Sequence, residues 1–486
     1  MGKEIKELNP ALVWSFFYDL TRIPRPSKKE GRAAEYVTSF GRERGLDTIV
    51  DHVGNVIIKK PASPGMENRK TILLQGHLDM VPQKNSDKVH NFETDPIEVY
   101  IDGEWVCARG TTLGADNGMG VAAALAVLHS DDLVHGPVEA LFTIDEESGM
   151  TGAFGLERGM LNADIMLNMD SEDEGELYVG CAGGLDANIS FRYSEIPVPE
   201  NFSAFRLIVK GLKGGHSGLD IGLGRGNANK LLFRFLRHTI NEHNAMLASV
   251  DGGGLRNAIP REASAVVLVP SSSEQVFTES VASSSDIYRN ELSAEEPDLT
   301  FEAIKTEMPQ TVIEQETTGR LIKAVIACPN GVIRMSNSMK GLVETSTNLA
   351  SVKSEKGSVE IKCLMRSSVD SSKDELAAMM DGLFTLAGAE VVFDGAYPGW
   401  KPNMDSVILK VMKNVYNALY GRTPEVKAIH AGLECGIIGG VYPGLDMISF
   451  GPTIRYPHSP DEKVNIESVE KFWVFLVETL KNVPEK

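Results

Sequence analysis

Apolar and polar positions along the first third of the chain alternate between helical spacing and short continuous apolar runs. Helical spacing predicts helices over residues 10–23, 28–45 and 121–128. An alternating segment centred on Asp102-Gly103 predicts a hairpin over residues 98–108. The apolar runs predict strands at residues 48–51, 55–59, 71–75, 138–144 and 164–169. Apolar strands separated by helices indicate a largely parallel or mixed sheet covered by helices on both faces.

The pattern changes after Gly183-Gly184, where longer strands and amphipathic helices follow in an order that recurs once. At 486 residues the chain exceeds the size at which one hydrophobic core keeps growing, so more than one domain is expected. We predict a first domain formed by residues 1–186 and 397–486. Residues 187–396 would form an inserted α+β domain of two related halves.

Composition narrows the classes of partner. The chain has 67 acidic against 48 basic residues, net charge -19, which disfavours nucleic acids and anionic membranes. Its first residues lack the apolar core of a signal peptide, and the longest apolar run, 121–128, is too short to span a bilayer. Five scattered cysteines are read as reduced thiols, so we expect a cytoplasmic protein.

Four segments between residues 71 and 170 carry metal-binding or proton-accepting side chains where a strand ends or a helix begins. These side chains are His77 and Asp79, Asp116, the run Asp145 to Glu147, and Asp170. In extended chain His77 and Asp79 share a face, so Asp79 can hold the imidazole ring. In proteins with such a sheet covered by helices, ligand-binding sites normally lie at the carboxyl ends of the strands.

A second histidine, His458, lies between two prolines beyond the predicted insertion. The outer two segments of the chain must therefore fold together if it joins the site. Nitrogen and oxygen ligands without thiolate suit zinc, manganese or cobalt, and the surplus of carboxylates favours two ions over one.

Eight segments of the sequence resemble the zinc dipeptidase and aminoacylase superfamily, and within it the bacterial enzymes that cleave unblocked dipeptides. In chain order they are GHLDMV, TTLGADNGMG, IDEESGMTGA, NMDSEDEGELYVGCAGG, KGGHSG, RNAIPRE, HAGLECG and GPTIRYPHSPDE. The resemblance covers nearly the whole chain. It implies an α/β fold in which a mixed sheet covered by helices carries a dinuclear metal site, with the inserted domain acting as a lid.

The resemblance also implies how two divalent ions would be held, with zinc in the first place and cobalt or manganese as alternatives. His77 and Asp170 would bind one ion. Glu147 and His458 would bind the other, and Asp116 would bridge both.

Three neighbouring carboxylates receive different interpretations. Glu146 matches the general base of the family, which takes a proton from the attacking water. Asp79 would orient His77, whereas Asp145 fits no role in the family. Relatives also have a cis peptide bond after the bridging aspartate, so we expect one between Asp116 and Asn117.

The inserted domain would supply the remaining site residues. His216 lies in a glycine-flanked loop and is able to donate a hydrogen bond to a developing oxyanion. In relatives this residue reaches a site formed between domains, sometimes across a dimer. Asn257, Arg366 and the backbone of Gly432 match positions that hold the substrate carboxylate, a task that suits the fork of an arginine.

These residues together predict a cytoplasmic, dinuclear zinc dipeptidase for unblocked dipeptides, including those that end in histidine. We expect a homodimer formed through the lid domain. One alternative is an amidohydrolase of the same superfamily that removes acyl groups from amino acids. Another is a non-catalytic, metal-stabilised binding protein. The presence of Asp79 and Glu146 disfavours this alternative, because a structural metal site needs neither residue.

Overall fold

The elements predicted for the first 170 residues form close to where the apolar patterns place them. The computed structural model describes residues 2–486, and within them no helix combines the length and apolarity needed to cross a membrane. The helices are α1 (Ala11–Thr21), α2 (Gly31–Glu43), α3 (Ala115–His129), α4 (Glu146–Gly149), α5 (Thr151–Phe154), α6 (Ala228–His243), α7 (Glu274–Leu292), α8 (Gln315–Ala327), α9 (Asp370–Leu386), α10 (Val407–Tyr420), α11 (Glu434–Val441) and α12 (Ile466–Lys481).

The strands complete the element order. They are β1 (Asp47–Val50), β2 (Val56–Lys60), β3 (Ile72–His77), β4 (Val99–Asp102), β5 (Trp105–Ala108), β6 (Val138–Thr143), β7 (Ile165–Asn168), β8 (Glu176–Cys181), β9 (Gly183–Arg192), β10 (Glu195–Pro197), β11 (Phe202–Lys210), β12 (Gly215–His216), β13 (Met246–Gly253), β14 (Ala258–Ile259), β15 (Ala263–Pro270), β16 (Thr300–Lys305), β17 (Thr311–Ile313), β18 (Gly331–Met335), β19 (Val343–Glu355), β20 (Ser358–Ser367), β21 (Glu390–Tyr397), β22 (Glu425–Ile429), β23 (Asp446–Ser449), β24 (Ile454–Arg455) and β25 (Lys463–Asn465).

The chain divides into two units. The first consists of Met1–Gly180, Pro402–Ala428 and Leu433–Lys486, and the second of Cys181–Lys401 and Ile429–Gly432. The boundary predicted at residues 186 and 187 falls inside β9, a strand that pairs along its whole length with β20 of the second unit.

The first unit is built on an eight-stranded mixed sheet in the order β1-β2-β6-β3-β7-β23-β8-β22. Strand β3 pairs in parallel with β6 and β7, and β7 pairs in parallel with β23. Helix α3 is apolar on all sides and buried from Val121 to Leu128, packed against β3, α1 and α12. The parallel strands therefore bring their carboxyl ends to one edge of a covered sheet.

The second unit is an α+β structure built on one antiparallel sheet. Its strands follow the order β16-β11-β15-β13-β19-β20-β9-β21, and β18 pairs with β19. Helices α6 to α9 pack against this sheet, and their shared core includes the buried rings of Phe191, Phe233, Phe277 and Phe384. The short strands β12 and β14 form a separate ribbon that carries His216.

Candidate functional site

The predicted metal ligands of the first unit come from neighbouring strand ends. His77 is the last residue of β3, Glu147 follows β6, and Asp170 lies two residues after β7. Because β6, β3 and β7 are adjacent parallel strands, these side chains meet at one edge of the sheet. Asp116 joins them from the first turn of α3, and the loop between β24 and β25 contributes His458.

Asp116 lies between the two histidines and directs one carboxylate oxygen to each. Its Oδ1 is 3.2 Å from His77 Nε2, and its Oδ2 is 3.2 Å from His458 Nε2. His77 Nε2 also lies 3.2 Å from Asp170 Oδ1, and His458 Nε2 lies 3.0 Å from Glu147 Oε2. The ligand atoms thus form two groups, His77–Asp116–Asp170 and Asp116–Glu147–His458, that share Asp116.

Burial and close contact perturb the ionisable side chains of these two groups. Within residues 2–486 no donor makes a hydrogen bond to the buried atom Glu147 Oε1. Burial raises the pKa of Asp170 to about 7, and hydrogen bonds to Asp116 and Glu147 raise the pKa of His458 to about 11. A buried carboxylate oxygen without a donor is costly, and a divalent ion would satisfy it.

Asp79 organises the residues around His77. Its Oδ1 lies 3.3 Å from His77 Nδ1 and accepts the backbone N–H of Glu146 at 3.0 Å. Its Oδ2 accepts the N–H of Glu147 at 3.1 Å and the hydroxyl of Ser27 at 2.8 Å. Burial alone would raise the pKa of Asp79, but His77 and these donors outweigh it and lower that pKa to about 2. Asp79 therefore links the ring of His77 to the turn that carries Glu146.

Glu146 and Asp145 have different surroundings although they are adjacent. Glu146 approaches His77 and Glu147 closely enough to form a third candidate ligand group, and burial raises its pKa well above the ordinary value. Asp145 has a φ of 52° and accepts hydrogen bonds from the hydroxyls of Ser148 and Thr151. Asp145 thus stabilises the turn between β6 and α5.

Tight packing around the Asn117 side chain holds the loop that carries Asp116. The peptide bond between Asp116 and Asn117 is cis, which confirms the expectation from the sequence. Asn117 donates from Nδ2 to the carbonyl of Met169 at 2.6 Å. A Cβ on Gly76 or Gly120 would lie 2.3 or 2.5 Å from Asn117 Oδ1, so only glycine leaves room for this side chain.

Three buried charged residues next to the site were not assigned a role from the sequence. Glu462 accepts four backbone N–H groups at the start of α3, and Arg25 donates to the carbonyls of Leu78 and Asp79 at 2.9 and 2.8 Å. Glu434 is fully buried. Its Oε2 accepts hydrogen bonds from Gln75 Nε2 and Thr143 Oγ1 at 2.6 and 2.8 Å, and burial raises its pKa to about 7.

The only available sequence signal for these residues was their position relative to the motifs. Glu462 and Glu434 both lie inside segments that resemble the superfamily, whereas Arg25 lies outside them. Charged residues are usually exposed, so composition and spacing gave no reason to expect these three residues to be buried.

In the second unit, Arg366 is a buried cation with neutral partners. It is 5% exposed, and its guanidinium donates to the Tyr397 hydroxyl at 3.1 Å and to Ser217 Oγ at 3.5 Å. Arg366 forms no ion pair with any carboxylate of the described residues 2–486. A buried guanidinium that forms no ion pair is able to receive the carboxylate of a ligand.

His216 belongs to the same region as Arg366. Its Nδ1 accepts the backbone N–H groups of Gly218 and Leu219 at 3.2 and 3.1 Å, which assigns the proton of the neutral ring to Nε2. Burial lowers the pKa of His216, and the charge of Arg366 lowers it further. Nε2 is thus the hydrogen-bond donor of a neutral imidazole.

The remaining predicted residues of the second unit lie beside this loop. The carbonyl of Asn257 accepts the N–H of Ser217 at 2.7 Å, and the Asn257 side chain is exposed. Gly432 ends the segment Ile429–Gly432. His430 of that segment is buried, with Nε2 2.7 Å from Ser346 Oγ. A Cβ on Gly218 would lie 2.2 Å from the carbonyl oxygen of His430, so the two segments are in close contact.

Comparisons with known proteins agree with the resemblance seen in the sequence. A model described as Peptidase family M20/M25/M40 matches residues 73–482. The chain is 49% identical over 483 residues to the cytosol non-specific dipeptidase of Escherichia coli (strain K12), covering 99% of this chain and 100% of that protein.

Solved structures extend the comparison to the fold. The crystal structure of aminoacylhistidine dipeptidase from Vibrio alginolyticus is 50% identical with a TM-score of 0.96, covering 100% of this chain and 99% of that one. Aminopeptidase PepT from Bacillus cereus is 17% identical with a TM-score of 0.59, covering 98% and 99%, and shares the fold. The α/β fold and the superfamily predicted from the sequence are confirmed.

Proposed function

This chain belongs to peptidase family M20/M25/M40, and we propose on that premise that it is a metallodipeptidase that hydrolyses unblocked dipeptides, including those ending in histidine. Two relatives named as dipeptidases match it along its whole length at about half identity. The structural observation that carries the proposal is the position of Asp116, with one oxygen directed to His77 and the other to His458.

The proposed cofactor is a pair of divalent ions, with zinc in the first place and cobalt or manganese as alternatives. His77 and Asp170 would hold one ion, and Asp116 would bridge to the second. Glu147 and His458 would complete the second site. When bound, such ions polarise a scissile carbonyl and lower the pKa of a water molecule. The Oε1 atom of Glu147, which is buried without a hydrogen-bond donor among the described residues, supports this assignment.

Glu146 is the proposed general base. It takes a proton from the attacking water and passes that proton to the nitrogen of the leaving amine, so one carboxylate serves both steps. Its backbone N–H is fixed by Asp79 Oδ1, which also lies beside His77 Nδ1. Asp79 would therefore position the base and a metal ligand together.

The second unit would bind the rest of the substrate. Arg366 is proposed to receive the carboxylate of the dipeptide, because its buried guanidinium has hydroxyl partners and no counter-ion among the described residues. Asn257 and the backbone N–H of Gly432 would complete this carboxylate site. His216 would donate from Nε2 to the oxyanion, a role supported by the two backbone N–H groups that occupy its Nδ1.

We further propose a cytoplasmic location and a homodimer formed through the second unit. The location is supported by the name of the Escherichia coli relative. Three apolar residues of β18 are exposed, Val332, Ile333 and Met335 at 38%, 42% and 45%, and this edge of the second unit is a candidate dimer contact. The molar mass in solution, measured by light scattering, tests the dimer.

A substrate panel tests the proposed activity. The protein is stripped of metal with a chelator, reloaded with zinc, manganese or cobalt, and assayed on dipeptides, dipeptide amides, tripeptides and N-acetyl amino acids. We expect turnover of free dipeptides with at least one metal and none in the stripped protein. Preferential turnover of N-acetyl amino acids would instead identify an acyl-amino-acid amidohydrolase. Binding of metal without turnover of any compound would contradict an enzymatic function.

A further inference from the structure

We propose that Glu462 is a positioning residue that fixes the loop of Asp116 in its ligand geometry before an ion binds, and thereby sets the metal affinity of the site. The inference rests on the proposed metal site. It concerns a residue that coordinates nothing itself. Glu462 acts on the backbone from which Asp116 projects.

The contacts of Glu462 are concentrated on one stretch of backbone. Its Oε2 accepts the N–H groups of Leu113 and Gly114 at 2.7 and 3.0 Å. Its Oε1 accepts those of Ala115 and Asp116 at 2.7 and 3.2 Å. The Glu462 residue is 2% exposed, so water has little access to these four donors. Both carboxylate oxygens are thus committed to the loop that carries the bridging ligand.

The loop needs this carboxylate because it has no cap of its own. The first N–H groups of a helix lack intrahelical acceptors and are usually satisfied by the side chain of the N-cap residue. Here the N-cap of α3 is Gly114, which has no side chain and adopts a φ of 71°. Asp116 and Asn117 then depart from helical φ and ψ. A residue distant in sequence therefore performs the capping.

Arg25 is a buried cation that holds the same loop from its carbonyl side. Its guanidinium is buried beside Glu462 and donates to the carbonyl of Gly114, on the same loop, and to those of Leu78 and Asp79. Glu462 lies four residues after His458, whereas Leu78 follows His77 directly. The two charged side chains thus tie the segments of His458, Asp116 and His77 to one another.

The test compares Glu462→Gln with a matched control, Glu139→Gln. Glu139 is also buried in the first unit, where it accepts the N–H of Asn162 at 2.9 Å and pairs with Lys59 at 3.1 Å. Metal affinity is measured by competition between the stripped full-length protein and a zinc chelator. We expect Glu462→Gln to weaken zinc binding by about 10- to 100-fold, the usual effect of losing a residue that supports metal ligands. The control should retain wild-type affinity.

Hydrogen exchange provides a readout that needs no metal. In the stripped protein, the backbone amides of residues 113–116 should exchange faster in Glu462→Gln, because an amide nitrogen replaces one acceptor and faces two N–H donors. If Glu462→Gln does not fold, Glu462→Asp keeps the charge at a shorter reach and should show the same two changes.

Two results would overturn the inference. One is wild-type zinc affinity in a folded Glu462 variant, and the other is an equal loss of affinity in Glu139→Gln, which would indicate general destabilisation. Neither result depends on turnover. A protein that binds zinc but cleaves no dipeptide would disprove the proposed function and leave the positioning role of Glu462 measurable.

Discussion

Replacing Arg366 with lysine tests how the second unit recognises its substrate. Lysine retains the positive charge but loses the planar fork that binds a carboxylate through two parallel hydrogen bonds. It also loses the geometry of the bonds to the Tyr397 hydroxyl and Ser217 Oγ. If Arg366 binds the substrate carboxylate, the change should lower kcat/KM for substrates that carry this group and leave it nearly unchanged for those that lack it.

The expected magnitude follows from the burial of Arg366. At 5% exposure the guanidinium is poorly solvated, and it has no counter-ion among residues 2–486, so a carboxylate placed there gains a charge-assisted hydrogen bond. Such a bond contributes about 1.5–3 kcal/mol. Loss of one of the two bonds should therefore lower kcat/KM for dipeptides by roughly 10- to 150-fold.

The assay measures kcat/KM for matched dipeptides and dipeptide amides in the wild type and in Arg366→Lys. Amides lack the carboxylate, so they should be poor substrates of the wild type and lose little more in the variant. Arg234→Lys serves as a control, because Arg234 forms a two-bond pair with Glu291 at 2.6 and 2.9 Å on the surface of the same unit. The control should behave as wild type.

Equal losses for dipeptides and their amides would refute the reasoning. That result would mean that Arg366 supports the fold of the second unit and does not read the carboxylate. Circular dichroism of both variants distinguishes misfolding from a loss of recognition.

The other predictions concern the first unit and one buried histidine. Glu146→Ala should abolish hydrolysis yet retain about two metal ions per chain by elemental analysis, because Glu146 moves protons; loss of metal would make it a ligand. Asp116→Ala should lower the metal occupancy of both proposed ion sites, because a bridging carboxylate serves both ions. Full occupancy of one site in this variant would disprove the bridging role of Asp116. Burial lowers the pKa of His430 to about 3. The unfolded chain therefore binds a proton more readily below pH 6.5, and folding stability falls on acidification by up to about 1.4 kcal/mol per pH unit. In His430→Gln the thermal unfolding midpoint should change less between pH 7 and pH 4.5 than it does in the wild type. An unchanged pH dependence of that midpoint would contradict the lowered pKa of His430.

The fold of the first unit could be predicted well because its strands are apolar throughout. Strands β3, β6 and β7 lie within two residues of their predicted bounds, since long apolar runs admit few alternatives. The domain boundary was less accessible to sequence reasoning. Gly183 and Gly184 were interpreted as a break, but both belong to β9 and pair with Ser367 and Arg366. Glycine in a strand also marks close approach, and here a Cβ on Gly184 would lie 2.4 Å from the Tyr397 ring.

The proposed metal ligands could be predicted from the sequence, whereas the residues that hold their backbone in place could not. His77, Asp116 and Asp170 stand at the ends of recognisable elements, so their convergence follows from the order of the strands. Glu462 and Arg25 act through backbone N–H and carbonyl groups of distant segments, and backbone partners leave no trace in residue identity. The lack of a cap at the loop of Asp116 becomes evident only in the folded structure.

The central position of β23 has a consequence for how the protein is made. This strand, Asp446–Ser449, lies between β7 and β8 in the sheet of the first unit, although more than 250 residues separate it from β8 in sequence. A nascent chain leaving the ribosome presents β7 and β8 long before the strand that joins them. Domains generally fold as units during synthesis, starting from the N-terminus. The second unit can therefore complete its own sheet while the first unit still lacks β23. The last tenth of translation supplies both that strand and His458, which completes the group of side chains around Asp116.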